Sequence, residues 1–94
     1  MLESAIERYF CREIKNAGGL AMKFVSPGLS GVPDRIVILP MSKIYFVELK
    51  QKGKKPRKLQ RKVFNRFLKL GFKTYILDSY EVVDKFVEEV TKNE

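Results

Sequence analysis

Along the first turns of the chain, apolar residues recur three and four positions apart, at Leu2, Ala5, Ile6, Tyr9, Phe10 and Ile14. This spacing predicts an amphipathic helix over residues 2–17, stopped by Gly18-Gly19. The pattern then shortens. Residues 20–25 make a short strand, and "SPGLSGVP" carries too much Gly, Ser and Pro for regular structure and reads as an ordered loop. Residues 35–39 and 44–49 are β-branched and aromatic runs joined by Pro40-Met41-Ser42, a hairpin pattern. Both runs are apolar on two faces, which places them at the centre of a sheet. Pro56 suits the first turn of a second helix, with Leu59, Val63, Phe64, Phe67 and Leu68 on one apolar face before Gly71 ends it. A last strand spans 73–77. Asp78 or Ser79 then caps a final helix that turns Val82, Val83, Phe86, Val87 and Val90 inward. The predicted order is αβββαβα, an α/β chain read as one domain over residues 1–94, without repeat, linker or low-complexity segment.

The hairpin places particular side chains together. If it is centred on Met41, residues whose numbers sum to 82 face each other, and Asp34 lies across from Glu48. Directly opposed side chains have Cβ atoms ~5 Å apart. The two-residue period of a strand puts Lys50 on the same face as Glu48. A slip of one residue in register would part them.

Charge makes that patch conspicuous. Between Ile14 and Leu77 there are fifteen Lys or Arg and only two acids, Asp34 and Glu48. Two like charges at this range repel by ~1 kcal/mol or more, so the pair needs a compensating cation. A divalent ion such as Mg²⁺ takes one or two carboxylates together with waters and phosphate oxygens. Lys50 beside it would orient or help deprotonate a water, or stabilise the pentavalent phosphate. These residue types form a site for Mg²⁺-dependent phosphodiester hydrolysis.

Composition narrows the alternatives. The chain has 94 residues, 45% of them hydrophobic, enough for one modest core. It has no His, which excludes Ser–His–Asp and Cys–His catalysis, His-ligated zinc and His-dependent nucleases. One cysteine, Cys11, permits no internal disulfide and suits a reducing cytosol. No apolar run approaches the ~20 residues of a membrane span, and the N-terminus lacks the layout of an export signal. The expected location is the cytoplasm. A net charge of +8 with a pI near 9.8 points to a polyanion, nucleic acid ahead of a membrane surface. Eight of the thirteen residues from 50 to 62 are basic, and Lys52, Lys54, Lys55, Arg57, Lys58, Arg61 and Lys62 are candidate DNA contacts beside the acids. The Phe and Tyr residues sit at core spacing, so no base-stacking platform is read from them.

"PD" at 33–34, thirteen residues, and then "ELK" at 48–50 resembles the PD-(D/E)xK nuclease signature. The fuller string "GVPDRIVIL…FVELK…LQ" is similar to the virus-type replication-repair nuclease (VRR-NUC) branch, and the resemblance covers nearly the whole chain. It implies a restriction-endonuclease-like fold with a central mixed sheet flanked by helices. It also implies a Mg²⁺- or Mn²⁺-dependent DNA endonuclease of replication, recombination or repair, with branched or junction DNA as substrate. Asp34 and Glu48 would then be metal ligands with the Leu49 carbonyl as a third, and Lys50 the catalytic lysine. Gln60 matches the glutamine that supports the lysine or contacts substrate. Glu3 matches the first-helix acid, with Glu7 one turn later as its rival. Arg35 reads as structural. Members of this size resemble a homodimer, for which the apolar face of the last helix or the first helix with Tyr9 would supply the surface. The competing readings are a non-catalytic nucleic-acid-binding module on the same fold and a structural subunit with an incidental motif.

Overall fold

The computed structural model describes residues 2–92. Its elements are α1 (Glu3–Asn16), β1 (Leu20–Lys23), β2 (Arg35–Leu39), β3 (Lys43–Leu49), α2 (Lys58–Lys69), β4 (Thr74–Leu77) and α3 (Tyr80–Val90). The sheet runs in the order β1-β2-β3-β4, antiparallel between the first three strands and parallel between β3 and β4. It is the mixed sheet expected, with the hairpin at its centre.

The hairpin turns at Met41 and Ser42, both left-handed with φ of 69° and 63°. Arg35 pairs with Val47 and Leu39 with Lys43, so paired numbers sum to 82 as the sequence required. β1 is two residues shorter than expected, although the Phe24 N–H still donates to the Asp34 carbonyl at 2.8 Å.

One face of the sheet is closed by α1 and α3. Ile6, Phe10 and Ile14 from α1 meet Val83, Phe86 and Val90 from α3 over Val37, Leu39, Val47, Leu49 and Leu77. Burying each such side chain stabilises the fold by about 1.5–3 kcal/mol before ordering costs. Ser79 caps α3, its hydroxyl accepting the Val82 N–H at 3.1 Å. The apolar faces of α1 and α3 are thereby consumed within the chain. Much of the Val and Phe face of α3 expected to meet a second copy lies in the chain's own core, while Tyr9 of α1 stays half-buried.

The other face is covered only in part. α2 lays Phe67 against Phe46 and Phe24, with ring centroids 5.1 and 6.4 Å away. The rest stays open, so the two-sided apolar pattern of the central strands does not mean two buried faces. Leu20, Ile38 and Ile44 form one row across three strands and are exposed by 56, 39 and 50%.

α2 departs from its predicted stripe. Its buried residues are Gln60, Val63 and Phe64, whereas Leu59 and Leu68 are exposed. Pro56 is buried but precedes the helix, whose N-cap is Arg57. The helix is rotated so that Gln60, not Leu59, points at the sheet. Gly31 fixes the neighbouring loop: it has φ of +91°, and a Cβ there would lie 3.2 Å from Leu59 and Val63. Among the described residues no helix is long and apolar enough to cross a membrane.

Candidate active site

The start of β2 and the ends of β3 and β4 share one edge of the sheet, where the chain places its two mid-sequence acids. The side chains interlock. The Asp34 N–H donates to Glu48 Oε1 at 3.1 Å, and the Leu49 N–H donates to Asp34 Oδ2 at 3.0 Å. The expected apposition is therefore present, fixed through the backbone of the opposing strand. Glu48 is 1% exposed.

Lys50 and Gln60 complete a closed network. Gln60 Nε2 donates to Glu48 Oε2 at 2.8 Å, while Gln60 Oε1 accepts from Lys50 Nζ at 3.1 Å and from the Arg57 N–H at 2.9 Å. Lys50 Nζ also lies 3.1 Å from Glu48 Oε2. One amide thus orients an acid and an ammonium and caps the first turn of α2. Gln60 is only 6% exposed, so an ordinary surface role is ruled out. The Lys50 ammonium supplies part of the positive charge that the opposed acids need, beside any metal.

Burial, and then the Asp34 charge, push the Glu48 carboxyl above its ordinary range, with Lys50 and Gln60 opposing less strongly. The site therefore holds an acid in need of positive charge. Oxygen donors are what is available, and hard cations such as Mg²⁺ take oxygen donors with few carboxylates. Asp34, Glu48 and the adjoining Leu49 carbonyl fit such an ion. Among the described residues no group of three or more His, Cys, Asp or Glu side chains forms.

The first-helix acids reach the same edge from the other side. Glu3 and Glu7 line a cavity of about 280 Å³ with Phe24, Pro33, Asp34 and Arg35. Glu7 is committed to Arg35, its Oε2 lying 3.0 Å from the guanidinium, which also donates to the Ala21 carbonyl at 3.1 Å. Arg35 is buried and ties α1 to β1 and β2, the structural role expected of it. Glu3 is exposed, and among the described residues it has no such partner and does not join Asp34 and Glu48 in a three-carboxylate cluster.

Lys52, Lys54, Lys55, Arg57, Lys58, Arg61 and Lys62 are all exposed beside Lys50. Arg61 donates to the Pro56 carbonyl at 2.9 Å and holds the basic loop in place. Tyr80 was not singled out in the sequence. It starts α3 and stacks on Tyr9 with ring centroids 4.4 Å apart, and no spacing within either helix foretells that pair.

No family model matches the chain. A relative named "Putative nuclease p44", from Acyrthosiphon pisum secondary endosymbiont phage 1, is 46% identical over 80 residues, covering 85% of this chain and 86% of its own length. A solved structure described as "VRR_NUC domain" superposes with a TM-score of 0.85 at 37% identity, covering 92% of this chain and 94% of that one. Identity at this level extends over most of the length of both relatives. The chain belongs to the VRR-NUC family.

Proposed function

We propose that this protein is a divalent-metal-dependent nuclease that hydrolyses DNA phosphodiester bonds, with branched or junction DNA as its substrate. The observation that carries this reading is the buried Glu48 carboxylate joined to Asp34, Lys50 and Gln60 at one sheet edge. Asp34, Glu48 and the Leu49 carbonyl would hold Mg²⁺, or Mn²⁺ in its place. When bound, the ion supplies a water of lowered pKa and neutralises charge on the phosphate. Lys50 holds its ammonium toward the same edge, where it stabilises negative charge building on the phosphate oxygens. Gln60 keeps that ammonium and Glu48 in fixed relative positions. The exposed Lys and Arg of residues 52–62 bind the DNA backbone and set its register over the acids. Glu3 is the first-helix acid of this reading, because Glu7 is spent on Arg35.

Branched and linear DNAs incubated with Mg²⁺, with Mn²⁺ or with chelator test the proposal. Cutting is expected with either ion and on branched substrates first, and none with chelator. Binding without cleavage under every ion would make the chain a non-catalytic binding module.

The working unit of this reading is a homodimer, which gives two sites for the two strands of a branch. Its surface is the row Leu20, Ile38 and Ile44 on the open sheet face. A chain of net charge +8 repels its copy overall, and a face without charges adds no buried like-charge contact to that repulsion; this row bears none. Sedimentation at micromolar concentration is expected to give twice the 10.9 kDa chain mass, and the double variant Ile38→Glu, Ile44→Glu the mass of one chain. A single-chain mass for the unaltered protein would remove the dimer, and a dimeric variant would move its surface elsewhere.

A further inference from the structure

A second groove opens at the same end of the molecule, between α1 and the first turn of α3. It is about 430 Å³ in volume and is lined by Ala5, Arg8, Tyr9, Arg12 and Tyr80. Its walls combine two guanidinium groups with two aromatic rings. Nothing in the catalytic network uses them.

The aromatic pair is held rigidly. Tyr9 and Tyr80 stack at 4.4 Å with their planes 33° apart, and the Tyr9 hydroxyl donates to Asp84 Oδ1 at 2.5 Å. That bond pushes the Tyr9 pKa up to about 12, so the phenol stays a neutral donor. The Arg12 guanidinium covers the Tyr9 ring at 5.1 Å from its centroid. Tyr80 remains 36% exposed, an aromatic surface with room for a further ring.

The cations are available. Among the described residues Arg8 has no acid within ion-pair distance, and Arg12 has only Glu13, its sequence neighbour, at 3.6 Å. Arg8 and Arg12 are one turn apart on α1, about 5–6 Å between Cβ atoms, so both point along one side of the groove. The nearest acids with defined partners are engaged, Asp84 with Tyr9 and Glu7 with Arg35.

Position links the groove to the sheet edge. Tyr80 lies three residues beyond Leu77, whose carbonyl accepts the Lys50 N–H at 3.0 Å. On α1, the groove residues Ala5, Arg8 and Tyr9 share the first turns with Glu3 and Glu7, which line the cavity with Asp34 on the opposite side of the helix. The basic loop lies on the α2 side of the acids, and the groove on the α1–α3 side. A strand held on the loop and crossing the acids would pass round the first turns of α1 to reach the groove.

We propose that this groove binds single-stranded DNA leaving the catalytic edge, with a base stacked on Tyr80 and backbone phosphates held by Arg8 and Arg12. The inference rests on the nuclease reading for the direction of the strand. Single strands are the class that fits, because a base must be free of its neighbours to stack on a ring, whereas a duplex offers only phosphates. An acidic protein segment would satisfy the arginines and leave the ring unused. A branched substrate supplies both parts, duplex for the loop and a free strand for the groove.

Binding of an oligothymidylate and of a blunt duplex to the full chain, read by fluorescence anisotropy in chelator, tests this without any cleavage. Tyr80→Ala is expected to weaken oligothymidylate binding about tenfold or more, as one lost base stack does, and duplex binding by less than about threefold. Tyr80→Phe keeps the ring and is expected to bind like the unaltered protein. The double variant Arg8→Gln, Arg12→Gln is expected to lower the salt slope for the single strand by about 1.4, the share of two phosphate contacts. It also carries the test should Tyr80→Ala not fold. Equal losses on both DNAs, or single-strand binding indifferent to these variants, would overturn the groove. If the chain cuts DNA yet the variants leave single-strand binding unchanged, only the groove falls. If it cuts nothing but the selective loss persists, the groove stands and the nuclease reading falls.

Discussion

Asp34→Asn and Glu48→Gln are each expected to reduce DNA cleavage by at least about a thousandfold, roughly 4 kcal/mol of transition-state stabilisation, while DNA affinity changes little. Asp34 and Glu48 face each other at the sheet edge, and each is already oriented by a backbone N–H from the opposing side of the hairpin. An amide keeps the shape but not the charge, so it cannot hold a hard cation against water. The proposed DNA contacts lie on the exposed basic loop, which neither substitution touches. Steady-state cleavage of a branched DNA, alongside anisotropy in chelator, reads both quantities, and a variant that cuts at the unaltered rate would dismiss the site. Stability should move with pH. The folded protein holds Glu48 above its ordinary value of 4.5, so it binds more protons than the unfolded chain as pH falls. The stability this confers is fully present below the unfolded value and is lost as pH rises through the folded one. In metal-free melts, the unaltered chain should therefore gain on Glu48→Gln as pH falls from about 8 to about 4. A difference that ignores pH would mean that Glu48 is not strained by burial.

Lys50→Met is expected to lower cleavage by about a hundredfold to a thousandfold, with DNA binding reduced severalfold at most. The ammonium is held at 3.1 Å from both Gln60 Oε1 and Glu48 Oε2, so its position is fixed before any substrate arrives. Methionine preserves the packing of the aliphatic stem and removes only the charge. Gln60→Leu is expected to cost about tenfold to a hundredfold, as loss of a partner that orients a ligand does. It leaves Glu48, Lys50 and the Arg57 N–H without the amide that joins them, and loss of that cap costs the helix about 1 kcal/mol. A positioning role predicts a lower kcat at nearly constant KM and a shifted pH profile for cleavage. If Gln60→Leu lowers only the melting temperature, the glutamine is structural and the network has one member fewer.

Asp34, Glu48 and Lys50 were legible before any fold was known because strand geometry is local. A hairpin of defined centre has one register, and a period of two puts alternate residues on one face. The central position of β2 and β3 and a cap at Asp78 or Ser79 follow from the same short-range rules, and the fold then chose Ser79. Gln60 was legible only as a motif residue, because its reach to Glu48 depends on how α2 is rotated. Helical periodicity counted Leu59 into the apolar stripe, yet the protein leaves Leu59 exposed and turns Gln60 to the sheet. The pairing of Glu7 with Arg35 likewise waited for the fold, since Arg35 is fourteen residues from its Ala21 partner and on another strand. Exposure escaped the sequence too. The same two-sided apolar pattern that marks a buried central strand left the Leu20, Ile38 and Ile44 row open, since one short helix covers that face. The Tyr9–Tyr80 stack joins residues seventy-one apart. Sequence by itself determined what lies within one strand, one turn or one cap, where bond geometry sets the neighbours. Which helix face meets the sheet, which acid is spent on a salt bridge and which rings meet across two helices were decided by the packing of the whole chain, where small differences in burial choose between arrangements that local geometry leaves equal.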